Sequence, residues 1–192
     1  MTIDMHAHWV PEAFCDAMRA RSTPPFIRRK EDGREYLESS FNSSPLAQRE
    51  SAAQRIAEMD KAGVERGVLS LTTVYGVERL PSAEAVPLCQ AFNDAVAAAC
   101  AQYPDRFNGL AALPVADMDE TLAEFRRAMA MPGMVGALLP GDGFLSIKRA
   151  EKFQPLFEAA DALGAIFLVH YAKIADDPEA PKVDASDNGH SR

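Results

Sequence analysis

Apolar residues along the chain gather into short continuous runs, separated by stretches of helical periodicity. Five runs read as buried strands: Ile3 to His8, Gly67 to Thr72, Phe107 to Leu113, Val135 to Pro140 and Ala165 to His170. They are short and lack strict in–out alternation, which is the mark of parallel strands covered on both faces. Helices are expected between them. Ser44-Pro45 offers an N-cap and first-turn pair for a helix running to Ala62, where Gly63 ends it. Within it Ala52, Ile56 and Met59 form one apolar stripe. The next helix carries Leu88, Phe92, Val96 and Ala99 and ends before Pro104. A third starts at Asp117, with Glu120 placed to complete a capping box, turns Leu122, Phe125 and Met129 inward, and stops at Pro132-Gly133. A fourth fits Pro155 to Leu163, closed by Gly164, with Leu156 and Phe157 toward the sheet. Strand and helix in repeated alternation predict an α/β fold with right-handed crossovers.

Two segments break the rhythm. Residues 9–43 hold Pro24-Pro25, a basic Arg28-Arg29-Lys30 and a turn at Asp32-Gly33. An insertion of that length after the first strand reads as a functional flap or small subdomain. Residues 173–192 are polar and without periodicity, so they read as a surface loop or disordered tail. Residues 1–172 are then the body of a single domain.

Composition narrows the class. The 192 residues are 47% hydrophobic and 25% charged, the balance of a globular protein. A net charge of −8 without any long basic run argues against nucleic acid or an anionic membrane as partner. No apolar stretch approaches the roughly 18 residues of a membrane span, and the N-terminus lacks the basic-then-apolar pattern of a signal peptide. A cytoplasmic protein is expected. Cys15, Cys89 and Cys100 are odd in number and show no C-x-x-C spacing, so neither a disulfide framework nor a zinc knuckle is indicated; Cys100, in an Ala-rich run, reads as a small buried hydrophobe.

The chemistry concentrates at strand ends. Residues two apart on a strand share a face, so Asp4, His6 and His8 are aligned. His170 closes the fifth strand in the equivalent place, which puts three of the four histidines at C-terminal strand ends. A lone imidazole there is ordinarily a hydrogen-bonded structural residue. Three in topological alignment point to a divalent metal, because buried imidazoles otherwise each need a separate partner. Asp4 either orients an imidazole or caps a turn. His190, in the polar tail, reads as solvated, and Asp142, between Gly141 and Gly143, as a turn residue. Trp9, Tyr75 and Tyr171 follow strands and either wall a pocket for a planar acid or cover the core.

The segment Ile3-Asp4-Met5-His6-Ala7-His8-Trp9-Val10-Pro11-Glu12 resembles the opening of amidohydrolase-related proteins of the aminocarboxymuconate-semialdehyde decarboxylase type. The likeness continues through Arg55 to Val64, Tyr103 to Phe107, Gly109 to Pro114, Pro155 to Phe157 and Phe167 to His170. It implies a (β/α)8 barrel of the TIM type with Zn2+ or another divalent metal such as Mn2+ at its C-terminal mouth, held by His6, His8 and His170. It implies a metal-dependent carbon–carbon lyase, a decarboxylase of a small aromatic or muconate-like carboxylic acid. A metal-dependent hydrolase of an ester, lactone or amide is the alternative. Members of the group are often dimers, so a homodimer is admitted, although no interface stripe is visible.

Two departures qualify the resemblance. The family's remaining metal ligand is an Asp on the eighth strand, and a catalytic His lies on the sixth. A full barrel takes about 250 residues, so this chain is expected to hold an incomplete barrel truncated after the fifth strand. A second alternative follows, an inactive fragment that lacks both groups. The decarboxylase also carries a substrate-carboxylate Arg in its first long loop, where Asp32-Gly33-Arg34-Glu35-Tyr36-Leu37 sets Leu37. A different substrate is therefore expected, with Arg34 or Arg28 as substitutes.

Overall fold

A computed structural model describes residues 1–39, 43–46 and 49–172. In chain order the elements are β1 (Ile3–His8), α1 (Glu12–Arg19), β2 (Phe26–Arg29), β3 (Glu35–Glu38), β4 (Ser43–Pro45) and α2 (Ala52–Ala62). They continue with β5 (Arg66–Ser70), α3 (Ser82–Gln102), β6 (Phe107–Ala111), α4 (Met118–Met129) and β7 (Met134–Pro140). The short α5 (Ile147–Ala150), then α6 (Gln154–Leu163) and β8 (Ile166–His170), complete the described body. The five predicted strands all form, within two residues of their expected ends. They pair in parallel in the order β1-β5-β6-β7-β8. The tail at 173–192, and His190 within it, lie outside the described residues.

Sheet alternation sets which side chains face which layer. Pairs such as His8 with Ser70, Leu138 with Leu168, and Pro140 with His170 share one face. The opposite face meets the helices. Phe167 packs there against Phe125 of α4 and Phe157 of α6, and Phe92, Val96, Phe125 and Leu156 are fully buried in the same layer. The α3 stripe of Leu88, Phe92, Val96 and Ala99 is buried as expected, whereas Ala52 and Ile56 of α2 and Leu122 and Met129 of α4 are half-buried at the edge of the core.

Helix ends follow their capping chemistry. Asp117 accepts from the N–H groups of Asp119 and Glu120, while Gly63 and Gly164 close α2 and α6 in the left-handed region that favours glycine. Two starts differ from expectation: Glu120 makes no return bond to the Asp117 backbone, so that cap is one-sided. Ser44 and Pro45 belong to β4, where they pair with Leu37 and Tyr36. The cap of α2 is Ser51, in a reciprocal box with Gln54 that satisfies two backbone donors at once.

The inserted segment contains α1 and, with the residues just after it, a three-stranded antiparallel sheet ordered β2-β3-β4. Phe14, Cys15 and Met18 bury the inner side of α1. Its outer side is tied to β3 by charge: Arg19 grips both oxygens of Glu35 at 2.8 and 3.0 Å, and Arg49 reaches Glu35 and Glu12, each at 2.8 Å. The Arg19 guanidinium, with Arg49 behind it, pulls the Glu35 carboxyl down to about 2. That contribution is complete above the ordinary glutamate range and is lost only as pH falls through about 2.

A second polar lock sits in the helical layer. The buried Asn93 side chain donates to the Ala112 carbonyl and to Glu124, and accepts from the Ala112 N–H at 2.9 Å. It pins α3 and α4 to the backbone just beyond β6, where strand pairing has stopped. No helix among the described residues is long and apolar enough to cross a membrane.

The tightest steric point is Gly136 on β7, where an added Cβ would lie 1.8 Å from the Ile166 carbonyl oxygen. Gly136→Ala is expected to push β8 away and lower stability by at least about 2 kcal/mol. Ser51→Ala should cost only about 1 kcal/mol through the lost cap. Urea denaturation midpoints test both, and equal effects would contradict the packing at Gly136.

Candidate metal centre

β1 and β8 are the outermost strands of the five. In a flat sheet four spacings would hold them about 19 Å apart. Instead the ring of His170 lies 4.8 Å from that of His6 and 5.0 Å from that of His8, centroid to centroid. The sheet is curled like half a barrel, and its two edges aim imidazoles into one space at the C-terminal ends of the strands. The sequence pattern anticipated this set of three.

Their ring nitrogens are turned inward. His6 Nε2 is 3.0 Å from His8 Nε2, and His8 Nε2 is 3.2 Å from His170 Nε2. His170 Nδ1 is 3.0 Å from the carbonyl of Tyr171. A carbonyl only accepts, so in the neutral ring the proton sits on Nδ1 and the Nε2 lone pair faces the cluster. His8 Nδ1 meets the hydroxyl of Ser70 at 3.1 Å, and Thr73 Oγ1 stands 3.4 Å from His170 Nδ1 while donating to the Tyr171 carbonyl at 2.9 Å. Burial lowers the His8 pKa, and the nearby His6 and His170 lower it further. That favours the neutral form, the one able to ligate.

The donor set fits a small divalent cation. Three nitrogens about 2.1 Å from one ion in tetrahedral arrangement stand about 3.4 Å from each other. The measured separations of 3.0 and 3.2 Å are close to that, and all three ligand atoms lie within 4.8 Å of one another.

Neighbouring residues separate into supports and walls. Asp4 does not orient an imidazole: its carboxylate takes the backbone N–H of His6 at 3.0 Å, at the irregularity where β1 shifts register against β5. Arg55, which entered the sequence reading only as part of a resemblance block, donates to the carbonyl of His8 and pairs with Glu50. It holds the end of β1 in place. Asp142 lies in a 3₁₀ turn, its N–H bonded to the Ala172 carbonyl at 3.1 Å.

The aromatic candidates part company. Tyr75 and Tyr171 line one cavity together with Pro24, Pro25, Leu37 and Thr73. Tyr75 is buried edge-on against Phe14, and burial pushes its hydroxyl up to about 12; Tyr171 is exposed. Trp9 is not brought to that cavity. Its indole N–H donates to the Glu50 carbonyl at 3.0 Å, and the ring helps to line a separate groove beside α2 and α3. Leu37 is buried in the wall, whereas Arg28 and Arg34 are exposed.

Sequence reasoning missed one titratable group altogether. Glu78, in the turn Val77–Arg79, has its carboxyl raised to about 7 by burial, with only a weaker counter-pull from its own backbone and Arg79. The run Gly76-Val77-Glu78-Arg79 looks like polar loop, and nothing local in it signals burial.

Comparison with known proteins adds the following. The sequence profile of the family described as amidohydrolase matches residues 3–185. A gamma-resorcylate decarboxylase of Rhodococcus jostii is 41% identical over 88 residues, which are 45% of this chain and 26% of that protein. A 2-amino-3-carboxymuconate-6-semialdehyde decarboxylase of Dictyostelium discoideum is 30% identical over 117 residues, 60% of this chain and 32% of the other. Among solved structures, a 2,6-dihydroxybenzoate decarboxylase complexed with 2,6-dihydroxybenzoate aligns with a TM-score of 0.62 at 26% identity, over 93% of this chain and 52% of that one. The chain thus spans about half the length of that solved relative, and its matched stretches a smaller share of the two sequence relatives.

Groups that orient a ligand imidazole from behind are usually worth 10- to 100-fold in metal affinity, on the order of what removing one such contact costs. Ser70→Ala and Thr73→Ala should each weaken Zn2+ binding by about that factor, as measured by competition with a chelating dye. Unchanged affinity in both variants would contradict the orienting role.

Proposed function

The chain belongs to the amidohydrolase family, and from its three converging imidazoles we propose that it is a metal-dependent carbon–carbon lyase. The substrate would be a small aromatic or muconate-like carboxylic acid, and the product side would include carbon dioxide. The observation that carries this reading is the meeting of His6, His8 and His170 Nε2 atoms, from opposite edges of the sheet, at the C-terminal strand ends. Active sites of parallel barrels occupy that rim.

When bound, a divalent ion supplies Lewis acidity there, drawing charge from a carboxylate or phenolate oxygen. The choice between Zn2+ and Mn2+ is part of the proposal, since imidazole suits several divalent metals. The protein's own work is positional. Ser70, Thr73 and the Tyr171 carbonyl hold the rings of His8 and His170 with their Nε2 atoms inward. Arg55 fixes the end of β1. Tyr75, Tyr171, Pro24 and Pro25 offer flat apolar surfaces to a planar acid in the adjoining cavity.

In the reaction the bond between the ring carbon and the carboxylate carbon breaks. The electron pair stays on the ring carbon, a proton from solvent water takes the vacated position, and carbon dioxide leaves. Decarboxylation is preferred to hydrolysis because the three relatives described above are named for it. A small acid is preferred to nucleic acid because of the net charge of −8.

Purified chain supplied with Zn2+ or Mn2+ is expected to bind the ion weakly and to release little or no carbon dioxide from 2,6-dihydroxybenzoate, since the expected Asp ligand and catalytic His are not among its described residues. His6→Ala and His8→Ala should abolish that binding. One equivalent still bound by both variants would remove the ligand assignment. Full turnover by the chain alone would contradict the expected low activity, and hydrolysis of an ester, lactone or amide in place of decarboxylation would remove the lyase reading.

A further inference from the structure

Glu78 stands between two cavities at the rim. On one side is a space of about 490 Å³ walled by the small antiparallel sheet and the loop after β5, with Tyr75, Tyr171, Leu37 and Pro25 in its lining. That volume lies within the range of small-molecule sites. On the other side is a cavity of about 30 Å³, large enough for a water molecule, lined by Leu71 and Thr72 beyond β5, Leu113 beyond β6, and Leu138 and Pro140 of β7. Glu78 lines both. So does Thr73, whose hydroxyl reaches His170 Nδ1. Glu78 and Thr73 therefore line the same two cavities, and Thr73 is the residue that links them to the imidazole cluster.

We propose that Glu78 is a specificity-determining residue of this mouth, its carboxyl meeting a polar substituent on the ring of a bound aromatic acid. The inference rests on the substrate class proposed above and adds the residue that selects within that class. A carboxyl among largely apolar neighbours gains from a further polar partner, since the hydrogen bond from its own backbone uses only part of its capacity. A ring hydroxyl beside the substrate's carboxylate offers one. The charged or titratable neighbours that act on it or feel it are Arg79 on its own turn, which weakly favours ionisation, and Cys89 of α3, whose thiol burial keeps protonated.

The sign of the pH effect follows. Burial raises the carboxyl to about 7, so below that value it is neutral and able to donate. Above it the group becomes an anion facing an anionic ligand. Affinity for an aromatic acid is then highest in mild acid and falls as pH rises through about 7.

The test is binding of 2,6-dihydroxybenzoate, whose own carboxyl stays ionised throughout, to the whole chain at pH 5.5 and 8.5 by calorimetry. Unmodified protein should lose on the order of tenfold in affinity across that interval. Glu78→Gln, whose amide donates at both pH values, should lose most of that dependence. In parallel, carbon-13 NMR of the glutamate side chains, with the Glu78 signal assigned from the variant, should show its midpoint displaced when the probe is added. A pH dependence equal in the two proteins, or a Glu78 signal indifferent to the probe, would overturn the inference. Metal uptake, measured separately, reports on the imidazole cluster, so a failure of the proposed function and a failure of the Glu78 inference give different results.

Discussion

The structure depends on curvature. Imidazoles from β1 and β8 touch only because five parallel strands bend far enough to bring the first and the last face to face. Sheet twist and the helical layer enforce that bend together. Twist rotates each strand relative to its neighbour, and the fully buried Phe92, Phe125 and Leu156 fill the convex side. The backbones of β7 and β8 approach so closely at Gly136 that no side chain fits between them. A site assembled from sheet edges inherits its precision from the sheet. No loop has to close to form it.

Much of this was legible in the amino-acid order because it is local or topological. The strands announce themselves as short apolar runs, and parallel topology then places all their C-terminal ends on one rim. Given that rim, His6, His8 and His170 need only the two-residue period of a strand and their position at its end to be predicted together. The helix stops at Gly63 and Gly164 follow from the left-handed conformation those glycines adopt.

What the order did not disclose is non-local. Ser44-Pro45 has the look of a helix start, but pairing with β3 claims it first, and the Ser51–Gln54 box caps α2 instead. Helix α1 has only Phe14, Cys15 and Met18 to mark its inner side, too few to declare a period. Trp9 sits beside the ligand strand in sequence yet turns its indole toward Glu50. Glu78 reads as solvated until the ends of β5, β6 and β7 are laid around it. In each case the deciding neighbour lies far along the chain.

The division of labour between β1 and β8 on one side and residues 24–44 on the other has an evolutionary reading. The rim that would grip an ion and much of the wall that would touch a guest come from separate stretches of polypeptide, joined through the shared core at Ile27 and Leu37 and braced by the Arg19–Glu35–Arg49 clasp. One stretch can be rewritten while the other stays intact. Changes confined to one contiguous insert would reshape part of the cavity wall and leave the imidazole rim in place.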